Sequence, residues 1–233
     1  MKAAATPDLI KCAVGAAANA RDLLGDAEAL SASGRHARAY ALAALAVEES
    51  GKAASLASLA MMPAGLRERA PVGRLLEWHQ LKLVGGMLIA AVPFSAGCLA
   101  FQLPAMPASQ VAELLGDAQA LADEQDRLKQ LGLYADMDGG GRVRLPSEVT
   151  EADVAAQLDR ARLAVSSASV LLGPSGPAFL TNPPAETIEL CRAMISAFSE
   201  AGYSRTSQAA ANVWLDAVGK LRQRTAALDV TIR

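Results

Sequence analysis

The chain has 233 residues, of which 52% are apolar and only 4% aromatic, and alanine is abundant. This composition favours helix-on-helix packing and argues against a sandwich or barrel, which would be richer in aromatic and β-branched residues. A formal net charge of -2 excludes a generally basic surface, so any face that binds nucleic acid must be local.

Cysteine usage and the N-terminus predict an intracellular, soluble protein. The three cysteines lie far apart in apolar helical patterns, which predicts small core residues in a reducing compartment: Cys12, Cys98 and Cys191. Near the N-terminus, Asp8 and Lys11 interrupt any apolar run of the kind that a signal peptide needs. We therefore expect a cytoplasmic location.

Apolar residues that recur at steps of three and four predict an all-α fold. A first helix should run from about 7 to 32 and stop at Gly34, and a second, from about 35 to 61, completes a helical hairpin. A third helical segment begins near Pro71 and is expected to be central. A fourth helix should cover about 109 to 131.

Residues 83–101 carry no charge, and a stretch of this length approaches the roughly 20 residues that span a bilayer. Pro93, several glycines and the lack of a cationic residue after Phe101 argue against a membrane helix. A central bundle helix and a seam between two subunits fit the same pattern. We expect no membrane span, and we leave the core and the seam as alternatives.

The chain beyond the fourth helix contains a turn-rich connection and a further helix. Asp138, followed by glycines at 139–141, permits a short β-hairpin. Ser147 or Thr150 should then cap a fifth helix that runs to about Leu172.

A proline- and glycine-rich stretch divides the chain, because no regular element can persist through it. We therefore predict a helical domain over 1–172, a linker over 173–184 and a C-terminal helical hairpin over 185–233.

Polar residues concentrate on the second predicted helix. Glu48 and Lys52 are four residues apart and are expected to pair. Glu49 shares a stripe with Leu42 and Leu45, which should turn its carboxylate toward the core. A carboxylate in that position must find hydrogen-bond donors or become protonated.

Donors for Glu49 are available on neighbouring segments: Arg74, His79 and Lys82 on the third, and Asn19 on the first. Two interpretations stay open, a buried polar network that fixes helix register and a catalytic site. The chain has only two histidines, and His36 is expected in solvent at a helix start, so we predict neither a metal site nor a cofactor. The charged stretch 123–129 is expected to form an exposed helical face.

Three separated stretches, in the same order, resemble the AbiV family of bacterial abortive-infection proteins. Residues 19–27 and 34–52, which include Tyr40-Ala-Leu-Ala-Ala-Leu-Ala-Val-Glu-Glu-Ser-Gly-Lys52, resemble its N-terminal signature. His79-Gln-Leu-Lys82 is similar to its HxxK element. Residues 131–150 are similar to the connection before its last helix. The resemblance covers roughly residues 8 to 172.

The resemblance implies phage defence and a helical bundle like that of the HEPN superfamily, whose domains are dimeric and often cleave RNA. Many of these ribonucleases carry an arginine followed by four to six residues and a histidine, a spacing that Arg74 and His79 satisfy. The polar residue that usually follows the arginine is replaced by Leu75. His79 would then act as general base or acid, with Arg74 and Lys82 stabilising phosphate charge and Glu49 orienting these groups.

Two functional hypotheses follow. The first is a homodimeric phage-defence protein that acts on RNA as a metal-independent endoribonuclease or that blocks translation. In it, Arg74, His79, Lys82 and Glu49 are catalytic, and Asn19, Glu48 and Lys52 support them. The second is a non-enzymatic helical protein that binds or is activated by a phage-encoded protein, with a purely structural polar cluster.

Overall fold

The computed structural model describes residues 6–61, 65, 108–137, 139–173 and 180–182. Most of these residues are helical, which confirms the expected all-α class. Two two-residue strands and a short 3-10 turn connect the last two long helices. The elements are α1 (Thr6–Ala32), α2 (His36–Met61), α3 (Ala108–Leu133), β1 (Asp136–Met137), β2 (Val143–Arg144), the 3-10 turn (Pro146–Glu148) and α4 (Glu151–Leu171).

The first two helices form the predicted hairpin. Gly34 has a φ of 73°, a conformation that suits glycine, and α1 ends just before it. The backbone N–H of Arg35 then donates to the carbonyl of Leu30 at 2.9 Å, which closes the turn. Many of the buried side chains of the two helices are alanines, among them Ala13, Ala20, Ala43, Ala46 and Ala53, all of them fully buried. Such small side chains allow the two helix axes to approach closely.

Within the described part of the chain, α2 is the central helix, because it packs against α1, α3 and α4. It runs antiparallel to α3. Gly132, near the end of α3, lies against the carbonyl of Ala37 at the start of α2. About two turns further along α2, the carbonyl of Ala44 accepts a hydrogen bond from Gln125 at 3.2 Å.

The connection between α3 and α4 contains the β-hairpin that the sequence predicted. β1 and β2 pair antiparallel, with Asp136 opposite Arg144 and Met137 opposite Val143. The short connection keeps the start of α4 near the end of α3. The hairpin and the Gly34 turn therefore lie at one end of the bundle, called here the hairpin end. The opposite end contains Thr6, Met61, Ala108 and Leu171.

Thr150 is the N-cap of α4, and it is one of the two residues that the sequence predicted for this position. Its hydroxyl accepts a hydrogen bond from the backbone N–H of Asp153 at 3.2 Å. In return, the Asp153 carboxylate accepts from the backbone N–H of Thr150 at 2.9 Å. These reciprocal bonds form a capping box. Hydrogen bonds from the Thr150 hydroxyl and backbone hold the pKa of Asp153 below its usual value.

Some expectations from the sequence are wrong, and others concern residues that the structure does not describe. Cys12 is exposed rather than a core residue, because it lies on the outer face of α1. Leu180 is buried although it lies in the predicted linker. The third helical segment, including 83–101, and the C-terminal hairpin predicted for 185–233 fall outside the described residues. No helix in the described ranges is long and apolar enough to cross a membrane.

Replacement of Gly132 by alanine should destabilise the bundle. A Cβ atom there would overlap the backbone carbonyl of Ala37, so one helix must shift. We expect a loss of about 1–3 kcal/mol in the free energy of unfolding, measured by urea denaturation. Gly25→Ala is the matched control, since no atom of the described residues outside its own helix backbone lies within 4 Å of the added methyl group, and it should be neutral or stabilising. If Gly132→Ala and Gly25→Ala changed the free energy of unfolding equally, the close approach of α3 to α2 at Gly132 would be contradicted.

Removal of the Thr150 hydroxyl should weaken α4 in a pH-dependent way. Thr150→Val should lower the free energy of unfolding by about 1 kcal/mol at neutral pH, whereas Ser147→Ala should have little effect. The folded-state pKa of Asp153 is lowered, so its contribution is present above the unfolded value of about 3.9 and is lost as pH falls through the folded pKa. The difference between Thr150→Val and wild type should therefore shrink in acid. A difference that stays constant with pH would argue against the role of Asp153.

Candidate functional site

Two neighbouring glutamates on α2 occupy different environments. Glu48 is buried, with 2% of its surface exposed, whereas the Glu49 side chain is 18% exposed. This reverses the expectation that Glu49 is the core carboxylate. The reason is that α2 packs against three helices, so its buried surface is wider than the single stripe that a helix on one flat face would present.

Glu48 is held by a buried lysine from α3. The Nζ atom of Lys129 forms an ion pair with Glu48 Oε1 and a second with Asp126 Oδ1 at 2.8 Å. Side chains lean toward the N-terminus of their own helix, so on two antiparallel helices Lys129 and Glu48 lean toward each other. Burial by itself lowers the pKa of Lys129, but its hydrogen bonds to Asp126 and Glu48 outweigh that effect and raise the pKa.

Gln125 extends the buried polar contact between α2 and α3. Its side chain is buried, and its Nε2 donates to the carbonyl of Ala44 at 3.2 Å, while its Oε1 has no hydrogen-bond partner among the described residues. The prediction that 123–129 forms a simple exposed face is therefore wrong. Ala122, Gln125, Lys129 and Gly132 recur at steps of three and four, and this spacing could have identified the inward face despite its polar members.

Glu49 and Lys52 form a separate ion pair nearer the surface of α2. Lys52 Nζ lies 3.2 Å from Glu49 Oε1 and 3.3 Å from Oε2, and both side chains are partly exposed. Lys52, which was predicted to pair with Glu48, thus pairs with the neighbouring Glu49. A solvated pair of this kind contributes little to stability, so the carboxylate can exchange partners at small cost.

Tyr40 lies inside a second group of charges that the sequence did not reveal. Its ring is buried, and this burial raises the pKa of its phenol, with the charges of Arg160 and Glu124 close by. On the surface beside it, Arg127 binds Glu124 through two hydrogen bonds. Gln157 of α4 accepts from Arg160 at 3.2 Å. Charged residues of α3 and α4 thus lie around the Tyr40 phenol of α2.

Of the other residues that the sequence singled out, only Asn19 and His36 are described, and neither joins this buried network. Asn19 is exposed on α1. His36, which was expected in solvent, is partly buried, and its Nδ1 has no hydrogen-bond partner in the described ranges. Arg74, His79 and Lys82 lie outside the described residues, so their approach to Glu49 stays a prediction. Among the residues that are described, no three of His, Cys, Asp and Glu lie together in a way that could hold a metal ion.

Comparison with protein families gives one finding. Residues 8–166 match the family model HEPN_AbiV, described as AbiV. The matched range includes α1, α2, α3 and most of α4, and also the segment that carries Arg74, His79 and Lys82. No curated protein and no solved structure matches the chain. Family membership therefore rests on a match that spans well over half of the sequence.

Loss of the buried lysine should be far more costly than loss of the surface lysine. Lys129→Met leaves the Glu48 carboxylate buried without that counter-ion, and we expect a loss of about 3–5 kcal/mol in the free energy of unfolding. Lys52→Met, the matched control, should cost less than about 1 kcal/mol. Both are measured by urea denaturation.

A double variant separates the charge effect from packing. Glu48→Gln combined with Lys129→Met removes both charges and should recover a large part of the stability lost in Lys129→Met. If Lys129→Met lowered the free energy of unfolding no more than Lys52→Met, the Glu48–Lys129 pair would not stabilise the packing of α3 against α2.

Proposed function

Because this chain belongs to the AbiV family of abortive-infection proteins, which act in phage defence, we propose that it is an effector that attacks RNA in the infected cell. In this proposal it is a cytoplasmic homodimer that cleaves RNA without a metal ion, or that blocks translation by binding RNA. The observation that carries the proposal is the family match, since it spans both Glu49 and the Arg74–His79 pair.

The proposed chemistry uses side chains alone. His79 takes the proton from a ribose 2′-hydroxyl, and the 2′-oxygen attacks the adjacent phosphorus. The bond from phosphorus to the 5′-oxygen breaks, and that oxygen receives the proton that His79 took from the 2′-hydroxyl, which restores neutral His79. Arg74 and Lys82 stabilise the additional negative charge on the phosphorus-bound oxygens. The products are a 2′,3′-cyclic phosphate and a free 5′-hydroxyl.

The environment of Glu49 supports a positioning role for this residue. Its carboxylate lies near the surface of α2, and its partner among the described residues is the partly exposed Lys52, so a hydrogen bond to His79 or Lys82 would not require a buried ion pair to break. Glu48 has a different role in the proposal. Because it is paired with Lys129 in the core, it supports the site only by fixing α2 against α3.

The buried Glu48–Lys129 pair also favours a second candidate function. Glu48 belongs to the polar cluster that the sequence singled out, and it is buried in an ion pair of the core. A purely structural role of this kind is what the non-enzymatic hypothesis expects of the cluster. In that case the bundle would act through contacts with a phage-encoded protein. The two candidates differ in whether Arg74 and His79 are needed for toxicity.

The deciding experiment measures growth arrest and total-RNA integrity in a bacterial host that expresses wild type, Arg74→Ala or His79→Ala. We expect wild type to fragment RNA, and loss of the general acid–base to slow cleavage by about 10²–10⁴-fold. Sequencing of the fragment ends should show 2′,3′-cyclic phosphates.

His36→Ala is the matched control, because it removes the only other histidine, which lies at the start of α2. It should leave RNA cleavage intact. Folding of each variant is checked by circular dichroism. Toxicity or phage resistance that persists in folded Arg74→Ala and His79→Ala would refute the ribonuclease hypothesis and leave the hypothesis of a non-enzymatic interaction protein.

A further inference from the structure

We draw no further inference here: the strongest candidate, the side-chain cluster of Tyr40, Gln157 and Arg160 where α4 packs on α2, carries nothing, because the Gln157 amide nitrogen that lacks a hydrogen-bond partner among the described residues is enclosed by protein and has no surface on which a ligand could bind.

Discussion

The charge of Glu48 must be balanced inside the bundle, because α2 packs against three helices and leaves this carboxylate almost no contact with water. Lys129 provides that balance from α3, and Asp126 shares the same ammonium group. The pairing defines how α3 can lie against α2, since a shift by one turn would separate the two charges. Gln125 and Gly132 then fall against the carbonyls of α2.

This arrangement places the charged residues in the middle of α2 in two different environments. Glu48 belongs to the packing of the bundle, whereas Glu49 and Lys52 pair with each other nearer the solvent. A catalytic role is physically reasonable only for Glu49 and Lys52, because a buried and satisfied carboxylate cannot move to a substrate without breaking the core.

The sequence by itself determined the helical class, the bounds of four helices to within a few residues, the Gly34 turn and the short hairpin, and it narrowed the cap of the last described long helix to Ser147 or Thr150. These features depend on local spacing and backbone preference, which neighbouring residues decide. Only the tertiary structure decided which glutamate is buried and which lysine meets it, because Glu48 and Lys129 are 81 residues apart. Local periodicity gives the direction of each side chain on its own helix, but it cannot say how many other helices surround that helix.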